Sequence, residues 1–289
     1  MAQPLQSINL VSPAFKGINS EDSPLAQDTA YAETADNAII DKRGQLAARK
    51  GVDIDTTDAT ELGSAKIKKV FYFEESAGNE VIFSTGNNKI MTGDTTLVDA
   101  TPASYTITAD NWKIVSFNDN CYFFQRGYEP LVYSNSLGAV TKMSSVSGAS
   151  VTSAQYCHEA LAAYGRLWVV DNATDANIIY WSDLLNGVDF SGGTSGSIDI
   201  SKVWPDGADS IRALAAHNGL LIIFGNHSII AYTGAEAPAS MELSDTVAGV
   251  GCVCRNSIQH IGTDVLFMSH SGLRGFSRTI QEKSMPLTD

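Results

Sequence analysis

No stretch of this chain is long and apolar enough to cross a membrane as a helix. Spanning takes about 20 continuous apolar residues. The most apolar segment, "NGLLIIFGNHSIIAYTG" (218–234), breaks after Leu220–Phe224 at the turn formers Gly225, Asn226, His227 and Ser228. The N-terminus "MAQPLQSINLVSPAFKG" has no basic region followed by an apolar one, so no secretory signal is read and synthesis in a cytosol is expected. Cysteine is scarce, with four in 289 residues. Cys121 and Cys157 stand alone. Cys252 and Cys254 would share one face of a strand roughly 6–7 Å apart, a poor spacing for a bridge. No disulfide framework is visible, which fits a reducing site of synthesis. Positive charge is also short: 19 Lys+Arg stand against 32 Asp+Glu, a net charge of −13. That argues against a sequence-specific nucleic-acid binder, which would show a basic patch. It leaves open a surface that DNA slides past without sticking, because repulsion from phosphates lowers affinity.

The motifs of chemistry are missing too. Cys252, Cys254 and His260 make C-x-C-x5-H, which matches no zinc spacing. Cys157-His158 looks like half of a dyad, but a buried thiol is the simpler reading. "DNATDAN" (171–177) offers oxygen ligands without the Gly and Glu that a calcium loop requires. There is no G-x-G-x-x-G, no phosphate-cradling G-x-x-x-x-G-K-[ST] and no G-x-S-x-G. Of the five histidines, His158 and His217 stand apart and His260 belongs to a late strand, while His227 and His270 occupy equivalent turns. No catalytic, cofactor or metal residue is assigned, and the chain is read as a non-enzyme. The alternative that remains is a propeller enzyme or lectin acting on bacterial surface glycans. It would need two facing carboxylates and a sugar platform drawn from Trp112, Trp168, Trp181 or Trp204, of which Trp168 and Trp181 read better as core.

What the chain does have is strand character and a repeat. Val, Ile, Thr, Tyr and Phe are abundant, with 24 glycines. Five hairpins share one order: an apolar strand, a polar turn and a second strand. They start at Val81, Cys121, Leu167, Leu220 and Val265, spaced by 40, 46, 53 and 45 residues. A period of about 45 residues is that of a four-stranded propeller blade. A further strand precedes each hairpin (68–75, 112–119, 159–165, 211–218, 257–263). It is joined to the hairpin by Gly and Asn turns that tolerate positive φ. The connections 93–111, 134–158, 183–210 and 234–256 are long enough for a fourth, outer strand. The expected fold is therefore an all-β, propeller-like array of antiparallel blades over 61–289, the fifth incomplete, behind an irregular arm, 1–60. Within the arm, Asp28 to Asn37 fits a short helix and Val52 to Ile54 a strand. The tail "TIQEKSMPLTD" offers no fourth strand, so the chain is read as the front part of a longer protein.

The two ends carry a resemblance. The opening presents Lys16-Gly17-Ile18, Tyr31, Asn37, Ile39, Gly44, Leu46, Arg49 and Gly51, preceded by Phe15. This is similar to the opening of tail nozzle proteins of short-tailed bacteriophages (tail tubular protein B, or stabilisation protein), an extended K-G-I segment followed by N-x-I/V … G-L/x-x-x-R-P-G, with Lys50 in place of the proline. The closing Gly272, Leu273, Phe276, Ser277, Arg278, Gln281, Glu282, Pro286 and Leu287 resemble a later stretch of that family. The resemblance implies a structural virion protein made in the host cytoplasm. It would assemble as a hexameric ring below the tail adaptor protein and continue the channel for double-stranded DNA. Tail fibres and the host cell envelope would be further partners. No cofactor is implied. Residues 1–60 would be the assembly arm, anchored by Phe15, Lys16, Gly17, Ile18, Asn37, Ile39, Gly44, Arg49 and Gly51. The acids proposed to line the channel are Asp53, Asp55, Asp58, Glu61, Asp206 and Asp209.

Overall fold

The computed structural model describes residues 17–108 and 112–284, apart from 24, 29, 35, 41–45 and 52–55. The chain divides into two compact units, Met1–Asp55 and Thr56–Asp289. The division falls a few residues before the expected boundary at 60. Thr57 and Asp58 donate backbone hydrogen bonds to Thr95, and Leu97 donates to Asp58, which ties this stretch to the first blade.

In the first unit, β1 (Gly17–Ile18) pairs in parallel with β2 (Tyr31–Ala32), and β3 (Ala38–Ile40) pairs antiparallel with β4 (Leu46–Ala48). The helix expected between Asp28 and Asn37 is not formed. Tyr31 and Ala32 spend their backbone groups on the distant Gly17 and Ile18, a pairing that local periodicity cannot reveal. The strand expected at Val52–Ile54 lies outside the described residues.

The second unit is an all-β, propeller-like array of five blades. Blade 1 is β5 (Lys69–Glu74), β6 (Glu80–Gly86), β7 (Lys89–Thr92) and β8 (Val98–Asp99). Blade 2 is β9 (Lys113–Phe117), β10 (Asn120–Phe124), β11 (Leu131–Tyr133) and β12 (Thr141–Lys142). Blade 3 is β13 (Glu159–Ala163), β14 (Arg166–Val170), β15 (Ile178–Trp181) and β16 (Gly196–Asp199). Blade 4 is β17 (Ile211–His217), β18 (Leu220–Gly225), β19 (Ile229–Thr233) and β20 (Glu242–Val247). Blade 5 has three strands, β21 (Gln259–Ile261), β22 (Asp264–Ser269) and β23 (Gly272–Gly275), and the helix α1 (Phe276–Ser284) follows. Each sheet is an antiparallel meander in chain order. Several tight turns have two successive positive φ values, as at Asn118 (49°) and Asp119 (57°) and at Asn218 (48°) and Gly219 (74°). This geometry matches the twist of the strands it joins and explains the choice of Asn and Gly.

Side-chain alternation sorts each middle strand between two cores. In β18, Leu221 and Ile223 point into the core shared with blade 3, while Ile222 and Phe224 point into the core shared with blade 5. β10 divides Cys121 and Phe123 from Tyr122 and Phe124 in the same way, and β14 divides Leu167 and Val169 from Trp168 and Val170. A strand covered on both faces has no polar side, so it reads as an unbroken apolar run. The end blades revert to alternation. In β5, exposed Val70 and Tyr72 alternate with Phe71 and buried Phe73; in β22, exposed Met268 follows buried Phe267. α1 lays Phe276 and Ile280 on the core between blades 4 and 5. Its start is fixed by Asp264, whose Oδ1 accepts from the backbone N–H of Ser277 at 2.9 Å.

Candidate functional site

The first strand of each meander, β5, β9, β13, β17 or β21, is the inner strand of its blade, and β13 packs against both β9 and β17. Three consecutive inner strands begin with a charged residue: Lys69, Lys113 and Glu159. Glu159 is 1% exposed. Its Oε1 accepts from Lys113 Nζ at 2.5 Å, and its Oε2 makes no hydrogen bond but lies 3.7 Å from Arg255 Nη1. Arg255 comes from the 3-10 turn Arg255–Ser257 that leads into blade 5. It also donates to the His158 carbonyl at 2.6 Å and sets Nη2 2.6 Å from His158 Nε2. Blades 2, 3 and 5 are thus tied through one carboxylate.

Asp171, in the left-handed region at φ 65°, borders the cluster. It pairs with Arg126 at 3.0 Å and stands 3.7 Å from His158 Nδ1. Lys69 is half-buried, paired through its backbone with Thr85, and its side chain has no hydrogen bond or ion pair among the described residues. Burial pushes its ammonium below the ordinary lysine value, and the charges of Lys113 and Arg255 push the same way, opposed by the charge of Glu159. Burial holds the Glu159 carboxyl above the usual carboxylate range, opposed by Lys113, Arg255 and His158. The arrangement places two cationic groups, Lys113 and Arg255, beside a single buried anion, inside a chain whose net charge is strongly negative.

The residues singled out from sequence fall elsewhere. In the arm, Gly17 and Ile18 form β1, and Ile18 is 61% exposed. Asn37, at φ 54°, accepts the Arg49 backbone N–H at 2.7 Å, closing the hairpin on which Ile39 is 42% exposed. Gly51 is exposed. Phe15, Lys16, Gly44, Asp53 and Asp55 lie outside the described residues.

Asp58 is exposed, and its Oδ1 takes the backbone N–H of Thr60 at 3.1 Å and the Thr60 hydroxyl at 2.6 Å. Those two bonds hold its carboxyl below the usual range. Glu61 pairs with Lys89. Asp206 and Asp209 share the connection before blade 4. Asp206 accepts from Gly249 N–H at 3.2 Å. Asp209 clamps the tip between β18 and β19 by accepting from Asn226 N–H at 2.9 Å and His227 N–H at 2.8 Å. A Cβ on Gly225 would stand 2.5 Å from that carboxylate, so the clamp demands glycine there. At the same tip the His227 ring stacks on His270 of blade 5, with centroids 5.0 Å apart.

Among the described residues no three His, Cys, Asp or Glu side chains group to hold a metal ion. The Cys157 thiol is fully buried and pushed up by burial, with Sγ turned to the Ala154 carbonyl. In the 171–177 loop, Asn172 Oδ1 is occupied by the backbone and hydroxyl of Thr174. All four tryptophans are buried in the cores, which removes them as a sugar platform.

No family model and no protein of curated function matches the sequence. Among solved structures, the chain is similar to the extracellular domain of the one component system BT4673 from B. thetaiotaomicron, at 12% identity and TM-score 0.37, covering 77% of this chain and 33% of that one. It is also similar to YCF48 bound to D1 peptide, at 11% identity and TM-score 0.43, covering 67% of this chain and 59% of that one. A third similarity is to BBS1N in complex with ARL6DN, at 10% identity and TM-score 0.46, covering 74% and 65%. This chain spans less than two thirds of each.

Proposed function

We propose that this protein is a structural subunit of a bacteriophage tail, of the nozzle type, that forms a homo-oligomeric ring and continues the channel for double-stranded DNA. The observation that carries the reading lies in the arm. The N-terminal residues bearing the nozzle resemblance belong to a separate unit built of strands two or three residues long, and two of its apolar anchors, Ile18 and Ile39, are exposed. Apolar side chains held out on a small unit are suited to burial against a neighbouring subunit. The acid excess of each subunit would multiply around a ring, so that a passing polyanion meets repulsion rather than adhesion. In this reading six copies sit below the tail adaptor protein in the virion, with tail fibres and the host cell envelope as outer contacts.

The test is the mass of the protein in solution, with negative-stain images. The full chain is expected as a ring of several 30.8 kDa subunits. Deletion of residues 1–55 is expected to leave a folded, monomeric propeller. A monomeric full chain, or normal rings from the deletion, refutes the role given to the arm.

A further inference from the structure

We propose that the exposed face of blade 1 docks on the α1 edge of blade 5 in a second copy of this chain, an acidic and apolar face meeting a cleft lined by two arginines. This rests on the ring reading and gives the ring a contact besides the arm. On blade 1, Glu74 of β5 stands directly opposite Glu80 of β6, and Tyr72 stands opposite Ile82 beside them. Residues opposed in this way share one face of a sheet, and like charges directly opposite each other are unfavourable. Neither glutamate has an ion pair among the described residues; the neighbour of Glu74 is the Tyr72 hydroxyl, 3.4 Å from Oε2. Asp94 joins Tyr72 and Glu80 in lining a cleft of about 230 Å³. Exposed Val70 and Tyr72 supply the apolar part of this face.

On blade 5 the balance is reversed. Arg274 Nη1 and Arg278 Nε both donate to Glu282, at 3.3 and 2.8 Å, so two guanidinium groups share one carboxylate. Arg274 Nε is held by Ser271 Oγ at 2.9 Å, which fixes the planar fork in advance of any partner. These residues and exposed Leu273 line a cleft of about 350 Å³. Each core seam packs one blade on the next, and these two surfaces at the ends of the array are left over. An acidic face repels its own copy, and so does a cationic one, but each attracts the other. The contact is therefore head-to-tail rather than two-fold, and head-to-tail contacts close into rings when the rotation allows.

The experiment measures mass over a dilution series for the full-length wild type, Arg278→Glu, Glu80→Arg and the two swaps combined. Arg278 is 81% exposed and Glu80 is exposed, and Glu80→Arg relieves the repulsion with Glu74, so circular dichroism is expected to show unchanged folds. Each single swap sets like charges against each other in the contact and is expected to raise the concentration for half-assembly by at least about tenfold. The combined variant restores attraction and is expected to assemble within about threefold of wild type. A wild-type ring that either single swap leaves unchanged overturns this contact and leaves the ring reading standing. Single swaps that weaken assembly without recovery in the combination overturn the pairing of these two faces. A wild type that is monomeric at every concentration overturns the ring reading and this contact with it.

Discussion

Replacing Lys113 with methionine probes the link between blades 2 and 3 with little change in shape. The apolar stem stays, and the ammonium 2.5 Å from Glu159 Oε1 is lost. Glu159, 1% exposed, keeps Arg255 at 3.7 Å as its nearest ion-pair partner among the described residues. Breaking a buried ion pair by removing one partner costs about 3–5 kcal/mol. Lys113 is 22% exposed and Arg255 remains, so the low end applies, about 3 kcal/mol. Denaturant unfolding followed by tryptophan fluorescence measures it, since all four tryptophans are buried. Adding Glu159→Gln removes the stranded anion, so the double variant should recover about 1–2 kcal/mol relative to Lys113→Met alone.

The pH dependence gives a second readout. The folded-state Glu159 carboxyl is raised above its ordinary value by burial. A raised carboxyl favours the protonated folded form, so its contribution to stability is present below the unfolded pKa and is lost as pH rises through the folded one. Removing Lys113 raises it further. The deficit of Lys113→Met relative to wild type should therefore be largest near pH 8 and shrink as pH falls toward the ordinary glutamate value. A deficit below 0.5 kcal/mol, on the order of a neutral surface change, or one flat across that range, would show that the pair does not hold the blades together.

Two further outcomes follow from the seams and the helix. Phe224→Ala, at the core between blades 4 and 5 with its ring 4.9 Å from Phe267, should cost about 3–5 kcal/mol, whereas Met268→Ala on the exposed face of blade 5 should change stability by about 0.5 kcal/mol or less; equal effects in a denaturant titration would refute the two-sided covering of β18. Burial opposes ionisation of Asp264, but hydrogen bonds from Ser277 and Val265 hold its carboxyl below the ordinary value. Its contribution is present above the unfolded pKa and lost as pH falls through the folded one, so Asp264→Ala at pH 7 should speed amide exchange in α1 as acidification does in the wild type; unchanged exchange would place the helix anchor elsewhere.

The blades were legible in the sequence because their signals are local. Asn118-Asp119 and Asn218-Gly219 sit at positive φ where the chain turns, and "LLIIF" is apolar throughout because both faces of β18 are covered. Such patterns are fixed by residues a few positions apart, and every inner strand and hairpin falls where they predict. The arm was legible only as an irregular segment, since Tyr31 and Ala32 become a strand by pairing with Gly17 and Ile18. The charge cluster was not legible at all. Lys113 and Glu159 are 46 residues apart and Arg255 and His158 are 97 apart. Each read alone as an ordinary charge at the edge of a strand or turn. The one local hint was a charged residue opening an otherwise apolar inner strand, as in "EALAA". The sequence by itself determined the repeat, the turns and the apolar content of each blade. Only the tertiary structure decided which charges meet, because burial and Coulomb energy depend on distance in space, and the packing of the blades sets that distance.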